Sequence, residues 1–163
     1  MLQRIQTLYL LAAFALCIGC LCTPIAHFLV SDGYNVNASI LDSYEPVDMY
    51  NLWLVSDGGK RMFYFCPVLM AILVIATALI FLNIWLYKHR ALQMRVASFC
   101  MILLVAWYIA YGVITFQLLR SVMQLWHPNW TAALPAAAFI LLYLAFRGIL
   151  KDEMLVRSLD RLR

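Results

Sequence analysis

The stretch from Val96 to Leu119 reads VASFCMILLVAWYIAYGVITFQLL, with Arg95 before it and Arg120 after it. It holds no Asp, Glu, Lys or Arg. Wound as an α-helix at 1.5 Å per residue, it would be about 36 Å long. That is enough to cross the roughly 30 Å of hydrocarbon in a bilayer. Every backbone N–H and C=O must be paired internally in hydrocarbon, which a single helix achieves and a single strand does not. Windows 5–31, 62–87 and 121–146 are equally free of those four residue types. The pattern predicts spanning helices at about 5–30, 62–87, 96–118 and 132–150.

Composition points the same way. The chain is 66% hydrophobic and 12% charged, against roughly 45–50% and about 25% in a soluble domain. A soluble domain of similar size still exposes about 30% of its unfolded surface, so one core cannot hide that surplus. Arg4 before an apolar run also suits a signal peptide, and Gly19-Cys20 a lipoprotein cleavage site. The run continues from Leu21 to Val30, however, whereas a signal's apolar region is about 7–15 residues. An uncleaved first span is expected.

Twelve Lys and Arg residues orient the chain. With the N-terminus inside, Arg4, Lys88, Arg90, Arg95, Arg147, Lys151, Arg157, Arg161 and Arg163 lie inside, and Lys60, Arg61 and Arg120 outside. Excess Lys and Arg marks the cytoplasmic side. The expected fold is therefore an all-α membrane protein: a single domain over 1–163, a four-transmembrane-helix bundle, N-in and C-in. An outer loop spans 31–61, an inner loop 88–95 and a cytoplasmic tail helix 151–163. Alternation in Asn35–Ile40 and, roughly, Tyr50–Trp53 suggests a short β-hairpin in the first outer loop. Ser56-Asp57-Gly58-Gly59 is turn chemistry. The net charge of +4 is an orientation signal, because no soluble basic stripe with interleaved aromatics is present for nucleic acid.

Candidate chemistry is sparse. Cys17 and Cys20 form C-x-x-C in the first span, the pair a membrane thiol oxidoreductase would use. The outer loops lack a second pair, and buried apolar cysteines are usually inert packing. Tyr108, Tyr111 and Thr115 share one face of the third span, with Trp107 and Gly112 beside them. That patch suits interhelical hydrogen bonding around a close glycine contact, or a small lipid or quinone niche. His27, His89 and His127 show no ligand spacing, so no metal site is expected. No charge lies deep in a span, where transport paths carry them. Neither catalytic residues nor a cofactor is expected, and an enzyme is not.

The tail repeats leucine at helical spacing through Leu155, Leu159 and Leu162. Glu153–Arg157 is an i, i+4 pair, while Arg157–Asp160 and Asp160–Arg163 are i, i+3 pairs. Glu153, Leu155, Arg157, Leu159, Asp160, Arg161 and Leu162 are the candidate docking residues for a protein partner on the cytoplasmic face, or for a second copy of the chain. Membrane lipids are the other expected partner.

Met1-Leu2-Gln3-Arg4-Ile5-Gln6-Thr7-Leu8-Tyr9-Leu10 opens the chain. Leu86–Gln93 reads LYKHRALQ, and Lys151–Arg163 reads KDEMLVRSLDRLR. Together these resemble the domain-of-unknown-function family numbered 4293, small inner-membrane proteins of Gram-negative bacteria. The resemblance implies four spans over the whole chain and no known activity. Architecturally, the long first outer loop, the short second one and Asn51-Leu52-Trp53 are similar to claudin-like four-span proteins. Those carry a loop cysteine pair that this loop lacks. The expected role is a non-enzymatic accessory or scaffold subunit of an inner-membrane assembly. The alternative is a lipid- or quinone-binding protein, with thiol chemistry at Cys17 and Cys20.

Overall fold

The computed structural model describes residues 2–31, 44–56, 62–65, 67–86, 90–121 and 123–160. Four long helices account for most of them: α1 (Leu2–Cys22), α2 (Pro67–Trp85), α3 (Arg90–Ser121) and α4 (Leu134–Asp160). All four are long and apolar enough to cross a membrane. Each packs against two others, α1 on α4 and α2, and α3 on α2 and α4.

The buried seam explains the packing. Fully or almost fully buried are Leu10, Ala13, Cys17 and Cys20 on α1, and Leu69, Leu73, Ala76 and Ile80 on α2. Ala97, Cys100, Leu104 and Trp107 follow on α3, and Ala138, Leu142, Ala145 and Ile149 on α4. Every set alternates steps of three and four residues, the spacing of helices crossing at a shallow angle. Small residues recur in it, letting backbones approach closely.

The connections at one end of the helices build an antiparallel sheet of five strands: β1 (Ala26–Ser31), β2 (Tyr44–Met49), β3 (Trp53–Ser56), β4 (Met62–Phe65) and β5 (Met123–Pro128). Their order is β4-β3-β2-β1-β5. Ala26, Phe28, Val47, Met49 and Leu54 join the helices' core, so one face of the sheet closes that end of the molecule. A hairpin, β2–β3, does lie in the first long connection. It is one part of a larger sheet, which the central strand β1 links to the second connection through β5.

Several expected boundaries move. The first helix stops at Cys22 instead of running to residue 30, and 26–31 is strand. Pro24 has no N–H to continue the helix, and the apolar residues after it serve a sheet face as well as a helix. Residues 62–65 are strand rather than the start of the second span, and the helix begins at Pro67, whose missing N–H is harmless in a first turn. The inner loop expected at 88–95 is helical from Arg90. Residues 130–133 form a 3-10 turn before α4, which then runs unbroken to Asp160. Of Tyr50–Trp53, expected as strand, only Trp53 is strand; residues 50–52 are the turn between β2 and β3, closed by Tyr50 N–H on Trp53 O at 2.9 Å. Asn35–Ile40 and Asp57-Gly58-Gly59 lie outside the described residues.

Candidate functional site

The polar chemistry concentrates where the helices meet the sheet, and it begins with Pro24. A proline leaves the carbonyl four residues earlier without its helical donor, here that of Cys20. Asn51, in the β2–β3 turn, reaches down to fill the gap: its Nδ2 donates to Cys20 O at 2.6 Å. Trp107 Nε1 of α3 donates to Asn51 Oδ1 at 3.1 Å. Asn51 is 2% exposed and Trp107 fully buried. One side chain thus ties the end of α1, the middle of α3 and the sheet together.

A second set of bonds secures the same corner. Thr23 Oγ1 donates to Gly19 O at 2.7 Å. Asn129 Nδ2 donates to Pro24 O at 3.1 Å, and the Thr131 hydroxyl also donates to Pro24 O. Tyr108 OH donates to Ala132 O at 2.7 Å and accepts Ala136 N–H at 3.0 Å. That N–H is one of the orphan donors at the start of α4, so Tyr108 caps that helix from α3.

The third-span patch expected as one niche is therefore divided. Trp107, Tyr111 and Thr115 turn inward; Trp107 stacks on Tyr111 at 5.5 Å and meets Tyr108 edge-on at 5.0 Å. The Tyr111 hydroxyl lies close to the side chains of Thr115 and Trp126. Neither it nor Thr115 Oγ1 attains hydrogen-bond geometry among the described residues. Gly112 is not a close-contact glycine, since a Cβ there would meet nothing within 4 Å. It opens onto a groove of about 550 Å³ on the outer face of α3, with Tyr108, Phe116, Gln117 and Arg120 along it. The Arg120 guanidinium covers the Phe116 ring at 4.4 Å. A smaller apolar cleft of about 280 Å³ lies between α3 and α4, bounded by Leu104, Tyr108 and Phe139.

Cys17 and Cys20 are both free and fully buried, as is Cys100 of α3, while Cys22 is exposed. Cys17 lies within electrostatic reach of Cys20 and Cys100. Their place in the packing seam is that of small apolar residues.

The family model for the domain of unknown function DUF4293 matches residues 2–162. The chain belongs to this family. No curated protein matches it.

The opposite end of the helices holds a different polar set. Gln6 Nε2 of α1 donates to Asp152 Oδ2 of α4 at 2.8 Å, with Gly148 beneath Gln6, where a Cβ would lie 3.1 Å from Gln6 Cγ. Asn83 of α2 is fully buried, and neither end of its amide has a partner among the described residues. Gln93 Nε2 of α3 donates to the Asn83 backbone carbonyl at 3.4 Å. Of the tail candidates, Glu153 is half-buried and engaged in an interaction. Leu155, Arg157, Leu159 and Asp160 lie on α4, their side chains outside the described set, as are Arg161 and Leu162 altogether.

Two histidines that spacing left apart are neighbours on the sheet. His27 of β1 is paired with Asp48 of β2 on one side and with His127 of β5 on the other. Sequence separation hid this, because strand register and not spacing brings them together. The signal for Asn51 was Pro24 itself, which announces a stranded carbonyl but not its partner.

Proposed function

We propose that this chain is a multi-pass protein of a bacterial inner membrane, a four-helix bundle with both termini in the cytoplasm, acting as a non-enzymatic accessory or scaffold subunit. The observation that carries the membrane reading is the outer surface of the helices. Between 28% and 33% of each apolar window is buried inside the protein, leaving Phe99, Ile102, Val105, Ile109, Val113 and Phe116 exposed along α3. An apolar face that wide requires an apolar solvent or a partner. The scaffold role is supported by α4, which continues as one helix to Asp160 and is tied to α1 through Asp152. Glu153, Leu155, Arg157, Leu159, Asp160, Arg161 and Leu162 would be the docking surface. The test is recovery of partners in mild detergent by the full chain and by one ending at Leu150. A stoichiometric partner of the full chain alone supports the role. Recovery of none by either form defeats it.

The groove beside Gly112 and Arg120 favours a second reading, a lipid- or quinone-binding protein. Its apolar wall suits an acyl or isoprenoid chain, and Arg120 a phosphate or polar headgroup. Native mass spectrometry showing a retained lipid or quinone, lost in Gly112→Leu, separates this from the scaffold role. Thiol chemistry at Cys17 and Cys20 belongs to this reading and is tested by Cys17→Ala/Cys20→Ala. Unchanged behaviour of that variant removes it.

A further inference from the structure

We infer that the outer face of the sheet carries a binding site for a divalent transition-metal ion, held by His27 and His127, with Asp48 positioning the first of them. Three strands converge on it. In the order β2-β1-β5, Asp48, His27 and His127 are direct partners across the strands. Directly opposed residues of an antiparallel pair point to the same face of the sheet, with Cβ atoms about 4.5–5.5 Å apart. Ala26 and Phe28, on either side of His27, are fully buried against the helices. His27 therefore faces away from the core. Its side chain is 45% exposed and that of Asp48 41%; His127 is exposed as well.

The contact between His27 and Asp48 gives this row its chemistry. His27 Nδ1 lies 2.6 Å from Asp48 Oδ1. An ionised carboxylate can only accept, so His27 Nδ1–H donates. The tautomer that results leaves Nε2 with its lone pair. The two ring nitrogens point in diverging directions, so a ring whose Nδ1 is turned to β2 leaves Nε2 pointing out from the sheet and leaning to the β5 side, the strand that carries His127. A carboxylate behind the far nitrogen of a histidine is the usual support of a metal-ligating imidazole, fixing its tautomer and raising its basicity. Tetrahedral binding at about 2.0–2.1 Å per Zn–N bond asks for two nitrogens about 3.3 Å apart. Rings on Cβ atoms about 5 Å apart can meet that by side-chain rotation.

Among the described residues no three of His, Cys, Asp and Glu converge on one point, so the site offers two protein nitrogens and water completes the shell. Imidazole pairs of this kind select Zn²⁺, Ni²⁺ and Cu²⁺ over Mg²⁺ and Ca²⁺, which prefer oxygen. Exposure means that the ion and the rings need shed little more than their own water to meet. The inference rests on sheet register and not on the direction of the chain across a membrane.

The test is Zn²⁺ titration of the full chain in detergent, carrying a tag without histidine, by competition with a chromophoric chelator. One Zn²⁺ per chain is expected. His27→Gln and His127→Gln should each weaken binding at least tenfold, Asp48→Asn about tenfold, and His89→Gln not at all. Wild-type affinity in the His27→Gln/His127→Gln chain, or no binding by the wild type beyond that of the double variant, overturns the site. Because substitutions could disturb the sheet, the wild-type Cu²⁺ complex gives an independent reading by electron paramagnetic resonance. Superhyperfine splitting from two imidazole nitrogens is expected, and splitting from one or none overturns the assignment.

Discussion

At the scale of single residues, two asparagines show how partners decide what burial costs. Asn51 is buried with both ends of its amide engaged; Asn83 is buried with neither engaged among the described residues. The same substitution should therefore act with opposite sign. Asn51→Leu strands the Trp107 N–H and the Cys20 carbonyl, each costing about 1–3 kcal/mol once buried, and should destabilise by about 2–4 kcal/mol. Asn83→Leu removes an amide that pays for its burial without return, leaves the backbone carbonyl that Gln93 uses, and should stabilise by about 1 kcal/mol. Thermal unfolding in detergent, read by circular dichroism, compares the two. A loss in Asn83→Leu as large as that in Asn51→Leu would show that both amides are bonded. Little of this was legible beforehand. Pro24 signals a stranded Cys20 carbonyl, but that Asn51 answers it depends on a turn 31 positions away.

At the scale of elements, the helices were legible and the strands mostly were not. Hydropathy measures how long a segment is apolar, and over a short apolar run it does not separate strand from helix. Thr23 to Ser31 continues the apolarity of α1 with a proline inside it, and Pro24 marks the true end. Met62-Phe63-Tyr64-Phe65 is aromatic-rich, as strands are, and precedes a proline suited to a helix start. The α1–α4 contact offers the sharpest test. Its closest described glycine approach is Gly148, whose added Cβ would lie 3.1 Å from Gln6 Cγ and 3.2 Å from Nε2. Alanine there needs only a small retreat of a flexible side chain. Gly148→Leu needs far more, displacing Gln6 from Asp152, and should cost about 1–3 kcal/mol as overpacking does. Gln6→Ala/Gly148→Leu should recover part of that loss. If the double variant unfolds no later than Gly148→Leu alone, the clash lies elsewhere.

At the scale of the whole molecule, the two ends of the helices differ in kind. One end carries the sheet. The other carries both ends of the described chain and the connection between α2 and α3. Charge follows the same division among the described residues: Arg4, Arg90, Arg95, Arg147, Lys151 and Arg157 belong to the second end, and Arg120 to the sheet end. Along α3, Arg95 and Arg120 stand about 37 Å apart at helical rise, far enough to leave one cation beyond each surface of a hydrocarbon layer of roughly 30 Å. Because cytoplasmic segments accumulate Lys and Arg, the richer end should face the cytoplasm and the sheet the periplasm. Single cysteines at positions 43 and 158 in a chain lacking native ones test this with an impermeant maleimide on intact spheroplasts. Cys17, Cys20 and Cys100 belong to the packed core, so alanine is their proper replacement, being small and adding no hydroxyl to an apolar seam. Ser43→Cys should react from outside, and Ser158→Cys only after the membrane is opened. The reverse pattern would invert the protein, and reaction of both from outside would break the four-helix topology itself.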